Sequence, residues 1–303
     1  MPSFQEKVDK SIKIIKKAAD IAQRTNKPLI VAFSGGKDSQ VLYHLTKAAK
    51  VEFKAVYNAT TLDPAEVVRF IRTKYPDVEI HCPSISFWDL CKKKKNMPTM
   101  KMRFCCAELK ENKGKNSVTL TGVRREESTR RADRQEVNGK KKSTDMTIDE
   151  FIRQSQMDVQ CFGKGNEKIT INPILEWTER DVWHYLNTVL QVPHCEVYDK
   201  GYKRVGCLFC PMQTEKQLIR NCKEHTHLFK RLMDTIAFLC SEKNVTAKEK
   251  YFLNDPVGYF LWWISKENVQ VFKARQKAIL PFDIDQIKEE LDFSPWRKKD
   301  DEK

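Results

Sequence analysis

The sequence predicts an α/β protein: a parallel sheet with helices on its faces, followed by a helical C-terminal extension. Three observations carry this. Short apolar runs alternate with stretches of three/four apolar spacing, in the order β-α-β-α-β, between residues 29 and 82. The first run, residues 29–33, is unbroken and apolar, as in a strand buried on both faces, and it stops at Ser34-Gly35-Gly36 just before a helix. From Gln213 onward the texture becomes helical, through residues 218–222, 228–239 and an aromatic cluster at 259–264. The expected division is an α/β domain over residues 1–212 and a helical extension over 213–303.

Each element follows from its local pattern. Val8, Ile12, Ile15, Ala19 and Ala22 give an amphipathic helix ahead of the first strand. A helix over 38–50 leads to a second strand at 53–57. Asp63-Pro64 then opens a helix whose apolar face is Val67, Val68, Ile71 and Tyr75. A third strand is expected at 78–82, a fourth at 118–122 and a fifth at 168–172. Residues 138–145 read as a polar insert, and residues 151–167 carry no decisive pattern. Thr178 is the expected N-cap of a later helix, with Glu179 and Asp181 in its first turn and Val182, Tyr185, Leu186 and Val189 on its apolar face. Trp177 and Trp183 are expected in the core. Lys92 to Lys95 read as a solvated helix end or as a phosphate contact.

The chemistry concentrates in the turn Ser34-Gly35-Gly36-Lys37-Asp38-Ser39. Adjacent glycines allow a tight turn and a close approach of backbone N–H groups to an anion. The helix start adds unpaired amides and the positive end of a dipole. Lys37 contributes a mobile positive charge and Asp38 a carboxylate able to hold Mg²⁺ against phosphate oxygens. The spacing is not that of a Walker A loop, which places four residues between its first glycine and Gly-Lys-Ser/Thr. In parallel sheets ligands sit beyond the C-terminal strand ends. The SGGKDS turn and the polar turn NATTLDP at residues 58–64 both belong on that edge. Arg124, Arg125, Arg130, Arg131 and Arg134 follow just after the fourth strand's end at Gly122, a set suited to phosphate or sulfate. Glu126 and Glu127 offset part of that charge.

The 303 residues carry a formal charge of +14, with a pI near 9.2, which suits polyanions: nucleotides, and nucleic acid as a candidate partner. No stretch approaches the roughly 20 apolar residues of a membrane span, and the polar start MPSFQEKVDK lacks a signal-peptide core, so a cytoplasmic protein is expected. Ten cysteines in such a chain point to metal or redox chemistry rather than to a disulfide frame. Cys105 and Cys106 are adjacent, and Cys207 and Cys210 form a C-x-x-C-P knuckle. Thiolates suit a [4Fe–4S] cluster or zinc, and reduced free thiols are the remaining alternative; a C-C pair is unusual for structural zinc. Cys82, Cys91, Cys161, Cys195, Cys222 and Cys240 lack such spacing and are expected to be buried apolar residues.

The turn SGGKDS resembles the pyrophosphate loop of the N-type ATP pyrophosphatases, a superfamily that includes phosphoadenosine phosphosulfate reductases and tRNA- and DNA-thiolating enzymes. With RFCC-AELK, GVRREES, PILEWTERDVWHYL and YDKGYKRVGCLFCP in the same order, residues 29–212 resemble the phosphoadenosine phosphosulfate reductase-like family. The resemblance implies an adenine nucleotide α-hydrolase-like, Rossmann-like fold. It implies nucleotide phosphates on Ser34 to Ser39, with Gly122 and Arg124 near the nucleotide and Lys37 and Asp38 in catalytic roles. It implies a [4Fe–4S] cluster on Cys105, Cys106, Cys207 and Cys210, and Mg²⁺ with ATP. Lys203 and Arg204 would add positive charge nearby. Assimilatory sulfonucleotide reductases of this kind use a nucleophilic cysteine in a C-terminal tail, and no cysteine follows Cys240 here. The expected activity is therefore ATP pyrophosphatase-type activation for sulfur transfer to an acceptor, nucleic acid among the candidates and a sulfur donor protein a further partner. The alternatives are a sulfonucleotide reductase releasing sulfite and a non-catalytic nucleotide- or nucleic-acid-binding module.

Overall fold

The structure, a computed structural model, describes residues 2–111, 114–138, 146–157, 168–242, 244, 249–277 and 284–296. Cys161, most of the polar insert, the second half of the 151–167 stretch and the end of the chain lie outside the described residues. The chain divides into two compact units. The first gathers Met1–Ala59, Asp63–Cys82 and Glu111–Gly206; the second gathers Thr60–Leu62, Pro83–Lys110 and Cys207–Lys303.

The first unit is built on a six-stranded sheet. Its strands are β1 (Leu29–Ala32), β2 (Lys54–Asn58), β3 (Glu79–His81), β4 (Val118–Leu120), β5 (Val137–Asn138) and β6 (Ile169–Ile171), in the order β3-β2-β1-β4-β6-β5. All pairings are parallel except β5 on β6. The parallel order follows from the alternation of strands with crossover helices. The antiparallel edge strand, only two residues long, carried no apolar run by which to read it.

Helix α1 (Phe4–Arg24) opens with a capping box, Ser3 and Glu6 satisfying each other's backbone amides. Its buried face is Val8, Ser11, Ile14, Ile15, Ala18, Ile21 and Ala22, so it is rotated from the expected stripe, leaving Ile12 and Ala19 only partly covered. Ser11 is tolerated there because it is fully bonded: its hydroxyl shares its one proton between the Lys7 and Pro173 carbonyls and accepts from Trp177 Nε1 at 3.0 Å. Helix α2 (Lys37–Ala48) follows β1, and α3 (Ala65–Lys74) follows β2 with Pro64 as its N-cap. A helix, Ile148–Met157, covers the described part of the stretch without a decisive pattern. Thr178 caps Glu179–His184 as expected, but the chain then widens into a π-helical turn at Tyr185–Val189. The wider turn breaks the 3.6-residue register, and Val189 ends 51% exposed instead of on the apolar face.

The second unit is helical with its own core, centred on Phe87, Trp88, Leu232, Met233, Ile236, Tyr259 and Phe260. Lys92 to Lys94 form the last turn of the helix Phe87–Lys94, where cations suit the dipole. Among the described residues, no helix is long and apolar enough to cross a membrane.

Candidate functional site

The phosphate-type loop starts where β1 ends. Phe33 N–H still bonds Val56 O at 2.9 Å, and the chain then turns through Gly35 at φ +72°. A side chain at Gly35 would be strained by that φ, and its Cβ would stand 3.1 Å from Val67 and 3.2 Å from Ile71. Gly36 is the N-cap of α2, and Lys37 is its first residue. Ser39 holds the turn together: its hydroxyl donates to Gly36 O at 2.8 Å and accepts from Ser34 N–H at 3.1 Å, with Ser34 Oγ also 3.1 Å away. Ser34 to Ser39 thus form one bonded turn around the first turn of a helix, whose leading amides have no intrahelical partner.

The end of β4 meets this turn directly. A Cβ on Gly122 would lie 3.0 Å from the carbonyl carbon and oxygen of Asp38 and 3.2 Å from Ser39 N. Two residues on, Arg124 is buried, at 3% exposure, and its guanidinium donates to Asp38 Oδ1 at 2.5 Å, Glu126 Oε2 at 2.9 Å and Trp177 O at 3.3 Å. Arg124 therefore orients Asp38. Arg131 pairs with Glu127, and Arg204 stands 3.8 Å from the same carboxylate. Desolvation, with Arg204, Arg134 and Arg124 nearby, holds the Arg131 guanidinium below its usual range, although Asp38 opposes this. Arg125 hydrogen-bonds Arg134 O and approaches Glu176, and the side chain of Arg130 lies outside the described residues.

Lys37 was expected as a mobile cation, and the structure places it otherwise. It is 3% exposed, its ammonium donating to Lys203 O at 3.1 Å and lying 3.4 Å from Glu179. The ring centroids of Tyr198 and Trp183 are 5.5 and 6.0 Å from that ammonium. Lys203 thus acts through its carbonyl rather than its charge. Trp177 lies in the core, whereas Trp183 is only partly buried and forms part of the Lys37 cradle. Tyr198, which sequence reasoning missed, accepts the Lys37 amide at 2.8 Å through its hydroxyl. Burial pushes that phenol well above its ordinary range, so it stays neutral. The only signal for Tyr198 was its place in the motif YDKGYKRVG.

All four candidate metal-ligating cysteines fall in the second unit. Cys105 and Cys106 occupy a single helical turn, Phe104–Cys106, that continues into a wider turn over Ala107–Glu111. The knuckle forms because Leu208 and Phe209 are buried at 2% and 0% exposure, with Phe209 in the left-handed region at φ +52°. The partly buried Cys207 and Cys210 flank that buried pair. Gln213 braces the turn, bonding the Cys210 carbonyl through its amide and the Cys207 carbonyl through its side chain; Thr60 Oγ1 lies 3.4 Å from Cys207 Sγ. The hydrogen bond with Cys106, then burial, then the charges of Cys106, Cys207 and Cys210 push the Cys105 thiol far up. Burial does the same to Cys210. Four soft donors therefore share one neighbourhood, a donor chemistry that suits iron–sulfur or zinc. Among the described residues, however, no group of three or more His, Cys, Asp or Glu is closed up to hold a metal ion. Of the other cysteines, Cys91, Cys195, Cys222 and Cys240 are buried as expected, but Cys82 is exposed, because it lies past the end of the short edge-side strand β3.

A mostly parallel sheet whose first strand passes through Ser-Gly-Gly-Lys-Asp-Ser into a helix defines an adenine nucleotide α-hydrolase-like fold. Within that fold, the family model for the phosphoadenosine phosphosulfate reductase domain matches residues 28–213, and the chain belongs to this family. An uncharacterized protein of Methanocaldococcus jannaschii is 30% identical over 244 residues, 76% of this chain and 53% of its own length. The chain thus spans about half of that relative. An adenosine 5'-phosphosulfate reductase of Shouchella clausii is 23% identical over 199 residues, 62% of this chain and 73% of that enzyme. Among solved structures, a phosphoadenylyl-sulfate reductase from Candida auris in a phosphate complex covers 69% of this chain and 98% of its own, at 18% identity and TM-score 0.43.

Proposed function

We propose that the chain is an enzyme that binds ATP or a related adenylyl nucleotide on Ser34–Ser39 and opens it between the α and β phosphates to activate an acceptor for sulfur transfer. The observation that carries the reading is the convergence at the start of α2. Gly122 lets the end of β4 touch the Asp38 backbone, and Arg124 fixes the Asp38 carboxylate, so one helix N-terminus, one lysine and one oriented carboxylate share a strand edge. In the reaction an acceptor oxygen bonds to the α-phosphorus, the bond to the bridging oxygen breaks, and pyrophosphate leaves with the electron pair. The loop amides and Lys37 stabilise the charge that develops on it. Asp38 is the residue that would hold Mg²⁺, which would spread that charge further. Cys105, Cys106, Cys207 and Cys210 are the residues that would hold a [4Fe–4S] cluster, or zinc, which would carry sulfur or brace the second unit. The basic composition supports a nucleic-acid acceptor.

The likeness to adenosine 5'-phosphosulfate reductases favours a second reading, reductive release of sulfite from a sulfonucleotide. One experiment separates the two. The protein is incubated anaerobically with ATP and Mg²⁺ plus a pool of tRNA, or with adenylyl sulfate plus a thiol, and the products are resolved. Pyrophosphate with an adenylated tRNA, or with AMP where a sulfur donor or water displaces the adenylate, supports the first reading, with a loss on the order of a hundredfold in Lys37→Ala. Sulfite supports the second, and no product from either leaves a nucleotide-binding module.

A further inference from the structure

Around the loop, one contact takes no part in the chemistry above. The Tyr198 hydroxyl accepts the Lys37 amide at 2.8 Å and is also bonded by the Val205 backbone. The Lys37 ammonium donates to Lys203 O at 3.1 Å. The leading amide of α2 and the loop's lysine are groups that attract a phosphate oxygen, and both are bonded to one stretch, residues 198–205. That stretch is fixed at its start, where the Tyr198 ring packs edge-on against Trp183 at 5.0 Å between centroids. Its turn is open: Gly201 has φ +82° with no atom near its absent Cβ, and Asp199, Lys200, Lys203 and Arg204 are exposed. The phenol also lies beside Gly36, where a Cβ would meet Tyr198 OH at ordinary contact, 3.4 Å.

We infer that Tyr198 is a self-ligand of the phosphate loop: it and the stretch behind it hold the Lys37 amide and ammonium until a nucleotide phosphate takes both. The inference rests on the nucleotide reading. A phosphate oxygen accepts the same amide more strongly than a neutral phenol, because the bond becomes charge-assisted. The exchange removes two tethers from residues 198–205, and the chain runs on from Gly206 straight into Cys207. Tyr198 is thus a positioning residue that links loop occupancy to the segment entering the C-x-x-C turn.

Hydrogen–deuterium exchange and equilibrium binding on the full chain test this, with Mg²⁺-ATP, pyrophosphate and adenylyl sulfate as probes. Nucleotide is expected to speed exchange in the peptide spanning residues 198–205. Tyr198→Phe keeps the ring and loses the hydroxyl. It is expected to bind ATP about fivefold more tightly, the worth of one net hydrogen bond in the free state, and to show fast exchange in that peptide without nucleotide. Slower exchange in the unsubstituted chain on adding ATP, or unchanged or weaker binding by Tyr198→Phe, overturns the self-ligand alone. Binding of no probe by either protein up to millimolar concentration removes the nucleotide reading along with it. Binding by Tyr198→Phe only supports the self-ligand in its strongest form.

Discussion

Gly122→Ala tests the convergence of strand end and helix start most directly. The added methyl carbon would sit 3.0 Å from two backbone atoms of Asp38 and 3.2 Å from a third atom, the nitrogen of Ser39. A side-chain neighbour can rotate away, but here all three atoms are main chain, in the first turn of α2. Relief requires that β4's end or the turn itself move by several tenths of an ångström. Overpacking of this kind costs about 1–3 kcal/mol. For a unit of this size that is a fall of roughly 3–10 °C in Tm. The same movement tilts the amides and shifts the Asp38–Arg124 pair, so nucleotide affinity is expected to fall more than tenfold. The control is Gly36→Ala, whose Cβ would meet its nearest neighbours at 3.4–3.5 Å, ordinary contact, with φ −84° open to any residue. Its cost should stay within about 1 kcal/mol, the loss of a tolerated N-cap. Thermal unfolding by circular dichroism and isothermal titration with Mg²⁺-ATP check both variants. Gly122→Ala with unaltered Tm and affinity would refute the close-approach argument.

Other perturbations follow from the same geometry. Arg124→Met leaves the Asp38 carboxylate without its guanidinium in a largely enclosed place, and chemical denaturation should show a loss of about 3 kcal/mol, with Arg124→Lys recovering only part because one ammonium cannot reach three acceptors. Burial, with Lys47 adding to it and Asp77 opposing, holds His44 down at about 4 against an ordinary 6.5, while its Nε2 lies 3.1 Å from Tyr75 OH. A depressed histidine contributes stability that is complete above pH 6.5 and is lost as pH falls toward about 4. The whole shift corresponds to about 3.4 kcal/mol, and discounting for partial exposure leaves about 2. Denaturation at pH 7 and pH 4.5 should show that loss in the unsubstituted chain and a flatter profile in His44→Gln. For the cysteines, anaerobically purified protein should show either the broad visible absorption of an iron–sulfur centre or colourless bound zinc. Metal analysis of Cys106→Ser and Cys207→Ser should fall to background, and a metal-free unsubstituted protein would remove the ligand assignment.

Much of this molecule can be read before any coordinates, and the reasons lie in particular residues. The strands β1, β2 and β4 are apolar runs bounded by turns, and the helix at Thr178 announces itself by hydroxyl and carboxylate spacing. Helix α1 was legible as a helix but not in its facing, because Ser11 belongs to the core only through partners more than 160 residues away. Val189 defeated periodicity because a π-helical turn changes the period itself. Strand β5 is two residues long and antiparallel, below what pattern can resolve. In the candidate site, SGGKDS and the four cysteines stand out by residue type and spacing, and Gly122 by the resemblance to the family. Their partners Tyr198, Glu179 and Thr60 are ordinary residues made special only by long-range contact.

Those partners change what binding at the loop would mean. Among the described residues, the ion-paired cations there are Lys37, Arg124, Arg131 and Arg204, and their carboxylates are Asp38, Glu126, Glu127 and Glu179. These paired sets match in number. An arriving polyphosphate therefore does not meet bare positive charge. It must exchange with protein carboxylates and with the Tyr198 hydroxyl, and each ion pair it breaks offsets part of what it gains. Such a site discriminates by geometry: a ligand that satisfies the Lys37 amide, the Lys37 ammonium and the Asp38 carboxylate together completes the exchange, whereas a lone phosphate reaches too few of them. Tripolyphosphate or ATP with Mg²⁺ should accordingly bind at least a hundredfold more tightly than inorganic phosphate, with only a shallow dependence on salt, because few unpaired cations are neutralised on binding. A steep salt dependence together with equal affinity for phosphate would mean that the loop attracts anions by bulk charge, and the paired arrangement around Lys37 and Arg124 would then have no part in recognition.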